Sequence, residues 1–398
     1  MQNFILLLLA IILLGPLGID LFLPVIPAIS VGLNSSETLI QSTIALFILV
    51  IGLGQLIAGP LVDKYGRRPL ALAGSLLYII GAILAALAGN PALFVASRIL
   101  QGVAVCCTAV VSFSCVRDRL DGDEAARAFS FLNGTLNIVP ALAPLFGGLI
   151  AEALGWRAPF WFMGGYGALV FLLIAFFLPE TRPDSTRAVQ GLPLRQYARI
   201  LCSSRFLGFA LVNAGAMGMG LTWVSLSPQI LMSDARLSPL QFSLAFGANG
   251  FWIMLLSFLA GRVIRKAGRP FSLTIGCLLM ASGFISLLAG VALLPAALQN
   301  HWLAFMLPVG LACAGLAFLI GPATSYALEP YSSEAGIASA LIGFLQMAGG
   351  AALGLSAMAL PLAPKVGLAL VMLTAALLGL YARRLSGSQP VSVTRRNG

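Results

Sequence analysis

Residues Gly59–Arg68 read GPLVDKYGRR, and the chain carries a counterpart at Gly261–Arg269, GRVIRKAGR, with Gly, Lys, Gly and Arg at the same spacing. Each stretch stands between two long apolar runs. A helix needs about 20 mostly apolar residues to cross the hydrocarbon core of a bilayer. Breaking the chain at charges and turn residues on that rule predicts helices over 4–29, 38–60, 70–89, 92–116, 126–152 and 159–179. A second set follows over 205–232, 240–262, 271–294, 302–328, 335–358 and 365–383. The two cationic loops then each join the second and third helices of a half. The expected fold is an all-α membrane protein of twelve transmembrane helices in two pseudo-symmetric six-helix halves. The expected units are 1–180, a linker over 181–204, 205–385 and a tail over 386–398. Parallel repeats related by an axis along the membrane normal put a substrate site at mid-membrane between the halves.

Composition leads to the same place. Of 398 residues 59% are hydrophobic and 9% charged, and the mean hydropathy is +0.99. No water-soluble core hides that much apolar surface, whereas a bilayer serves as its solvent. Membrane lipid is therefore the first expected partner. A net charge of +10 does not point to nucleic acid, because the Lys and Arg are scattered between apolar spans instead of gathered on one face. Topology explains them better, since cationic loops stay on the cytoplasmic side. With both termini inside, Arg157, Arg236 and Lys365 fall outside and Arg98 lies within a span. Every other Lys and Arg, of 23 in all, falls on the cytoplasmic side. The acidic loop between Glu329 and Glu334 is the one inside segment that departs from the pattern. The connector from Glu180 to Arg205, with Pro183, Pro193 and five Arg, reads as a solvated linker. The first apolar run, Phe4–Ile29, has no basic leader and carries Asp20 in its middle, so a retained helix is expected.

Enzyme chemistry finds no foothold. The six Cys lack a CxxC pair and His301 is the single His, so neither a metal nor a cofactor is expected. No nucleophile and base pair is visible.

GPLVDKYGRR resembles motif A of the major facilitator superfamily. A glycine-broken loop puts Asp63 at a helix end and presents Lys64, Arg67 and Arg68 to carboxylates of neighbouring helices. Such a cluster, with Gly59, Gly66 and Asp118, implies a latch on the cytoplasmic gate; a loop that only sets topology needs the charges alone. Arg98-Ile-Leu-Gln101-Gly102 is similar to motif B. An Arg inside an apolar span either lines water or a partner, or snorkels to the headgroups. Pro140-Ala-Leu-Ala-Pro144-Leu-Phe-Gly147-Gly148 resembles motif C of the antiporters, with Ala143 where the family has Gly. Prolines bend a helix and paired glycines admit a close neighbour, which also suits plain helix packing.

With Gly18-Ile-Asp20-Leu-Phe-Leu-Pro24, Arg117-Asp118, Leu132-Asn133-Gly134 and Pro179-Glu180-Thr181-Arg182, the whole chain looks like the Bcr/CflA branch of drug exporters. That resemblance implies proton-coupled efflux of small amphipathic drugs, chloramphenicol-like molecules among them, across the bacterial inner membrane. Symport or uniport of a solute is the alternative, and a monomer is expected. Asp20 is the carboxylate well inside a span. A carboxyl group that alternates between water and a dry interior gains and loses a proton as it moves, which a proton carrier requires; a static partner for Arg98 is the other reading. Polar and aromatic residues on apolar helices supply candidates for the substrate cavity: Asp20, Phe47, Asn133, Asn137, Asn213, Trp223, Phe246, Asn249 and Gln346. Interhelical hydrogen bonding is the competing role for the polar ones, at roughly 1 kcal/mol each.

Overall fold

The computed structural model describes residues 2–120, 124, 128, 131–132, 136, 139–182 and 194–386. The regular structure is helical, and among the described residues eleven helices are long and apolar enough to cross a membrane. Those eleven, together with the shorter described part of α5, are α1 (Gln2–Gly32), α2 (Glu37–Tyr65), α3 (Arg67–Ala86), α4 (Pro91–Arg119), α5 (Val139–Leu154), α6 (Ala158–Phe177), α7 (Ser204–Pro228, continued by a π-helical turn Gln229–Asp234), α8 (Pro239–Ala267), α9 (Arg269–Leu293), α10 (Trp302–Leu328), α11 (Ala335–Phe344, a π turn Leu345–Gly349, then Gly350–Ala359) and α12 (Pro364–Ser386).

The internal repeat runs deeper than the two cationic loops. Each of the following pairs is offset by 202 residues. Asn34 and Arg236 turn the chain with positive φ (51° and 57°). Ser36 and Ser238 then cap the second helix of each half, accepting the N–H of Leu39 and Gln241. Gly66 (φ 96°) and Gly268 (φ 87°) break the helix before the third. A left-handed break of this kind suits Gly because it carries no Cβ. Gly74 and Gly81 bring α3 against the backbone of α4, at the Ala104 and Ser97 carbonyls, and Gly276 and Gly283 bring α9 against the Gly315 and Pro308 carbonyls of α10. In lipid, helices associate through such close small-residue packing, since the tails offer no hydrophobic drive. Pairing of α3 with α6 is matched by pairing of α9 with α12.

Two features depart from the expectations. The first helix is not continuous: an α-helical stretch ends at Asp20, a 3₁₀ turn covers Leu23–Val25, and a helix resumes over Ile26–Gly32. Pro24 lacks an N–H and its ring collides with the carbonyl four residues back, so the ladder fails at residue 20. The connector is also more than a solvated linker. Its last part, Leu194–Leu201, is a helix whose Tyr197 and Ile200 are buried, with contacts to the starts of α7 and α11. Apolar groups three apart lie on one face of this helix, and Arg195 and Arg199, four apart, share another.

Among the described residues, the two sets of helices meet both near mid-span and at one end. Near mid-span, Gly52 of α2 lies against Ala348 and Met347 in the π turn of α11, and the Gln55 side chain covers Gly343. At the end opposite the connector, the Ser233 hydroxyl donates to Glu37 (2.9 and 3.1 Å). There the Ser243 hydroxyl of α8 also lies 3.0 Å from the Pro144 carbonyl of α5.

Candidate functional site

At the connector end, Arg67 is the centre of an ion cluster. Its Nε donates to Asp118 Oδ2 at 2.7 Å and its Nη2 to Asp118 Oδ1 at 3.3 Å, while Nη2 also lies 3.2 Å from Asp63 Oδ1. The side chain is 5% exposed and that of Asp118 9%, so this pair is screened far less than a surface one. Thr181 Oγ1 lies 3.2 Å from Asp118 Oδ2, tying the end of α6 to the same carboxylate. Arg68 Nη2 donates to the Ala175 carbonyl (2.7 Å), and Lys64 sits over the Tyr65 ring. The cluster thus joins α2, α3, α4 and the chain after α6, all within the first half. A Cβ at Gly59 would meet nothing within 4 Å, so that glycine is not required by packing.

Glu180, absent from the residues expected in this cluster, completes it. Glu180 accepts four backbone N–H groups, from Arg67 (2.9 Å), Arg68 (3.1 Å), Thr181 (3.1 Å) and Arg182 (3.0 Å). Two of them are unsatisfied donors at the start of α3, where a carboxylate also meets the positive end of the helix dipole. Gly66 leaves room for it, since a Cβ there would lie 2.6 Å from Glu180 Oε2. Partial burial works against the charged form, but the N–H donors outweigh it and hold the Glu180 carboxyl below its usual range. A carboxyl lowered on folding stabilises the fold above its unfolded value, and that stability is lost as pH falls through the folded value. Melting of the purified protein in detergent is expected to drop as pH falls through and below the carboxylate range. Glu180→Gln is expected to melt lower at neutral pH and to lose part of this slope. Equal slopes for the two proteins would remove Glu180 from the account.

Deeper in the first half lies a polar group without a carboxylate partner among the described residues. Arg98 is fully buried and donates to Gln101 Oε1 and to the Gly18 carbonyl. Its guanidinium stands 4.5 Å from the Phe22 ring and 4.7 Å from the Phe47 ring. Desolvated cation–π contacts of this kind are worth about 2 kcal/mol. Arg98 therefore turns toward the broken first helix and does not extend to the headgroups. Asp20, 5% exposed at the end of the helical stretch, makes no ion pair with it among the described residues. Phe47 is a wall of the Arg98 pocket. Among the described residues, Tyr78 Oη and Arg98 Nε find no hydrogen-bond partner, and neither amide atom of Gln41 on α2 does.

The motif C helix meets the broken helix directly. A Cβ at Gly147 would run into the Leu21 carbonyl oxygen, next to Asp20, whereas one at Gly148 would come no closer than 3.4 Å to Ser243 Oγ. Pro140 lies in the same helix, and Pro144 offers its carbonyl to α8.

The remaining candidates are distributed through the second half. Asn213 and Thr324 bond each other across α7 and α10 (3.1 and 3.3 Å). Trp223 stacks on Phe246 at 5.5 Å and leans on Phe305 at 5.6 Å. Asn249 Nδ2 points to Cys313 Sγ at 3.4 Å. Gln346 lies in the π turn that faces α2. Asn133 and Asn137 lie outside the described residues. The acidic loop is a second ion cluster, in which Arg205 (2.8 Å) and Arg269 (3.0 Å) both hold Glu329.

Residues 8–355 match the Major Facilitator Superfamily. Two curated relatives named multidrug resistance protein MdtL, from Shigella flexneri serotype 5b (strain 8401) and Escherichia coli O6:K15:H31, are each 34% identical over 352 residues, 88% of this chain and 86% of the relative. Among solved structures, the xylose transporter XylE from E. coli in a partially occluded inward-open conformation matches with a TM-score of 0.71 at 18% identity over 96% of both chains. A D-xylose–proton symporter matches with a TM-score of 0.73 at 17% identity over 98% of both chains. At such identities these two speak to the fold alone.

Proposed function

The chain belongs to the Major Facilitator Superfamily as a multi-pass membrane transporter, and on that footing we propose that it exports small amphipathic drugs in exchange for protons. The observation that carries this reading is Asp20, a carboxyl group buried at a proline-made break in α1, without an ion-pair partner among the described residues and one residue from the Gly147 contact. A group at such a break gains or loses water when the neighbouring helix moves, and its proton occupancy follows. Drug and proton then compete for one state of a cavity between the halves 1–180 and 205–385. The Arg67–Asp118–Glu180 cluster acts as the gate latch at the connector end. The named activity of the 34% identical relatives supports the drug class. Both termini and the connector are assigned to the cytoplasmic side of a bacterial inner membrane, from the Lys and Arg distribution.

Uptake by proton symport is the second reading, because solved proteins of this fold include a sugar symporter. Vesicles loaded with a pH-sensitive dye separate the two. Addition of chloramphenicol under an imposed gradient should release protons from the lumen as drug enters. Protons and drug moving in the same direction would overturn antiport, and no proton movement on drug entry would overturn coupling. Impermeant labelling of single Cys placed in the connector and beside Arg157 or Arg236 tests the orientation; a connector labelled from the periplasm would invert it.

A further inference from the structure

Between α8 and α10, on the side of the second half, two adjoining grooves of about 380 Å³ each share Met306. Leu237 and Trp302 stand at the upper end, Leu244 and Ala248 form one wall, and Leu307 lies on the other. Leu244 and Leu307 are 58% and 66% exposed, so the groove opens sideways into the bilayer. Asn249, at its floor, is turned inward to Cys313, and Gln241 is held by the Ser238 cap. The side presented to lipid is therefore almost wholly apolar.

Length identifies what fits. Along α8 the lining runs from Gln241 to Trp252 and along α10 from Trp302 to Leu311. At 1.5 Å per residue these are about 17 and about 14 Å. Half of a hydrocarbon core some 30 Å thick is about 15 Å, the depth of one leaflet. Trp302 sits at the end where interfacial aromatic residues belong.

At that end Arg236, exposed, stands immediately before Leu237. Arg236 makes no ion pair among the described residues, while the nearby Asp234 faces Lys365. Arg236 also holds a left-handed backbone, φ 57°, at the position where the first half has Asn34. Asn is at home there and Arg is not, so the residue is placed against local preference.

We propose that this groove is a binding site for one phospholipid of the leaflet opposite the connector, with an acyl chain between α8 and α10 and its phosphate on Arg236. The site does not depend on the transport reading. It distinguishes the second half from the first at a turn that is otherwise a repeat.

The full chain, purified and exchanged into detergent, is titrated with dioleoylphosphatidylglycerol and read by native mass spectrometry. A single lipid should be retained, and Ala248→Phe, which fills the groove from an exposed position, should lower retention about tenfold or more. Ile285→Phe, an equally peripheral change on α9, should leave it unaltered. Arg236→Gln should weaken phosphatidylglycerol several-fold but leave dioleoylglycerol, which lacks the phosphate, where it was. If Ala248→Phe does not fold, chain-brominated lipid is tested on the protein with Trp156, Trp161 and Trp223 replaced by Phe. Quenching of Trp252 and Trp302 should then persist at lipid ratios too low to coat the protein. Retention unchanged by both Ala248→Phe and Arg236→Gln, absence of low-ratio quenching, or displacement of the lipid by chloramphenicol at transport concentrations would each overturn the site.

Discussion

Replacing Asp20 by Asn is expected to leave a folded protein that binds drug and moves it downhill but no longer exports it against a gradient. Asn keeps the size of the carboxyl group and the hydrogen bonds of its protonated form, and 5% exposure leaves little room for a larger change. What disappears is the proton that can leave. A ligand shifts a two-state equilibrium only through a difference in its affinity for the states, so a group that cannot titrate gives a proton gradient no hold on the two access states. One charge moved across 100 mV is worth about 2.3 kcal/mol. Drug accumulation of about fiftyfold is therefore at stake for each coupled proton. Proteoliposomes with an imposed gradient measure the export, and pH-dependent drug binding to the purified proteins measures the rest. Binding by Asp20→Asn should lose most of its pH dependence, except for a cationic drug that needs the negative charge itself. Undiminished uphill export by the variant would falsify the assignment and send the search to Glu37, bonded to Ser233, and Asp118, bonded to Arg67. Among the described residues Arg98 and Asp20 form no ion pair; the guanidinium contacts Gly18, Gln101 and two aromatic rings.

The parts of this arrangement legible in the sequence are those set by local rules. Span length and apolar runs gave the helices, because a bilayer imposes one thickness on all of them. The repeat was visible at the two cationic loops, where Gly66 and Gly268 must break a helix, and its extension to Ser36 and Ser238 follows the same local logic of capping. The first span is legible as a span, and Pro24 and Pro27 carry the local signal for the break within it. Long-range pairings were not legible. Glu180 stands in the sequence only as part of Pro179-Glu180-Thr181-Arg182, and its contacts are not legible there, since its four donors are backbone groups, two of them brought from more than a hundred residues away by the packing of α3 on α6. The partner of the cavity candidate Asn213 is Thr324, 111 positions on, and no local pattern announces it. Burial of Tyr197 and Ile200 is hidden because a connector rich in Arg averages to a polar segment, and only their helical spacing separates the two faces.

Gly147→Ala is expected to abolish transport through packing alone, with the titratable groups untouched. In motif C helices small residues let a neighbour approach, and here the neighbour is backbone: the added methyl meets the carbonyl oxygen of Leu21. A flexible side chain would swing aside at little cost, but Leu21 is fixed by the break in α1 on one side and by Pro24 on the other. Overpacking of this kind costs about 1–3 kcal/mol. Spent against the contact between α5 and α1, it opens the end opposite the connector by roughly 5- to 150-fold in the access equilibrium. Gly148→Ala supplies the control, because its methyl finds ordinary contact, 3.4 Å from Ser243 Oγ and 3.7 Å from Pro24. A Cys placed at Ser243, beside the Pro144 carbonyl, reports the opening through an impermeant thiol reagent in a background without other Cys. Labelling should rise about tenfold or more in Gly147→Ala and stay near the parent level in Gly148→Ala. Transport should fail in the first and survive in the second, while drug binding persists in both. Normal transport and labelling by Gly147→Ala would mean that α5 and α1 do not close on each other during the cycle, and the alternation of Asp20 between wet and dry surroundings would lose its moving part.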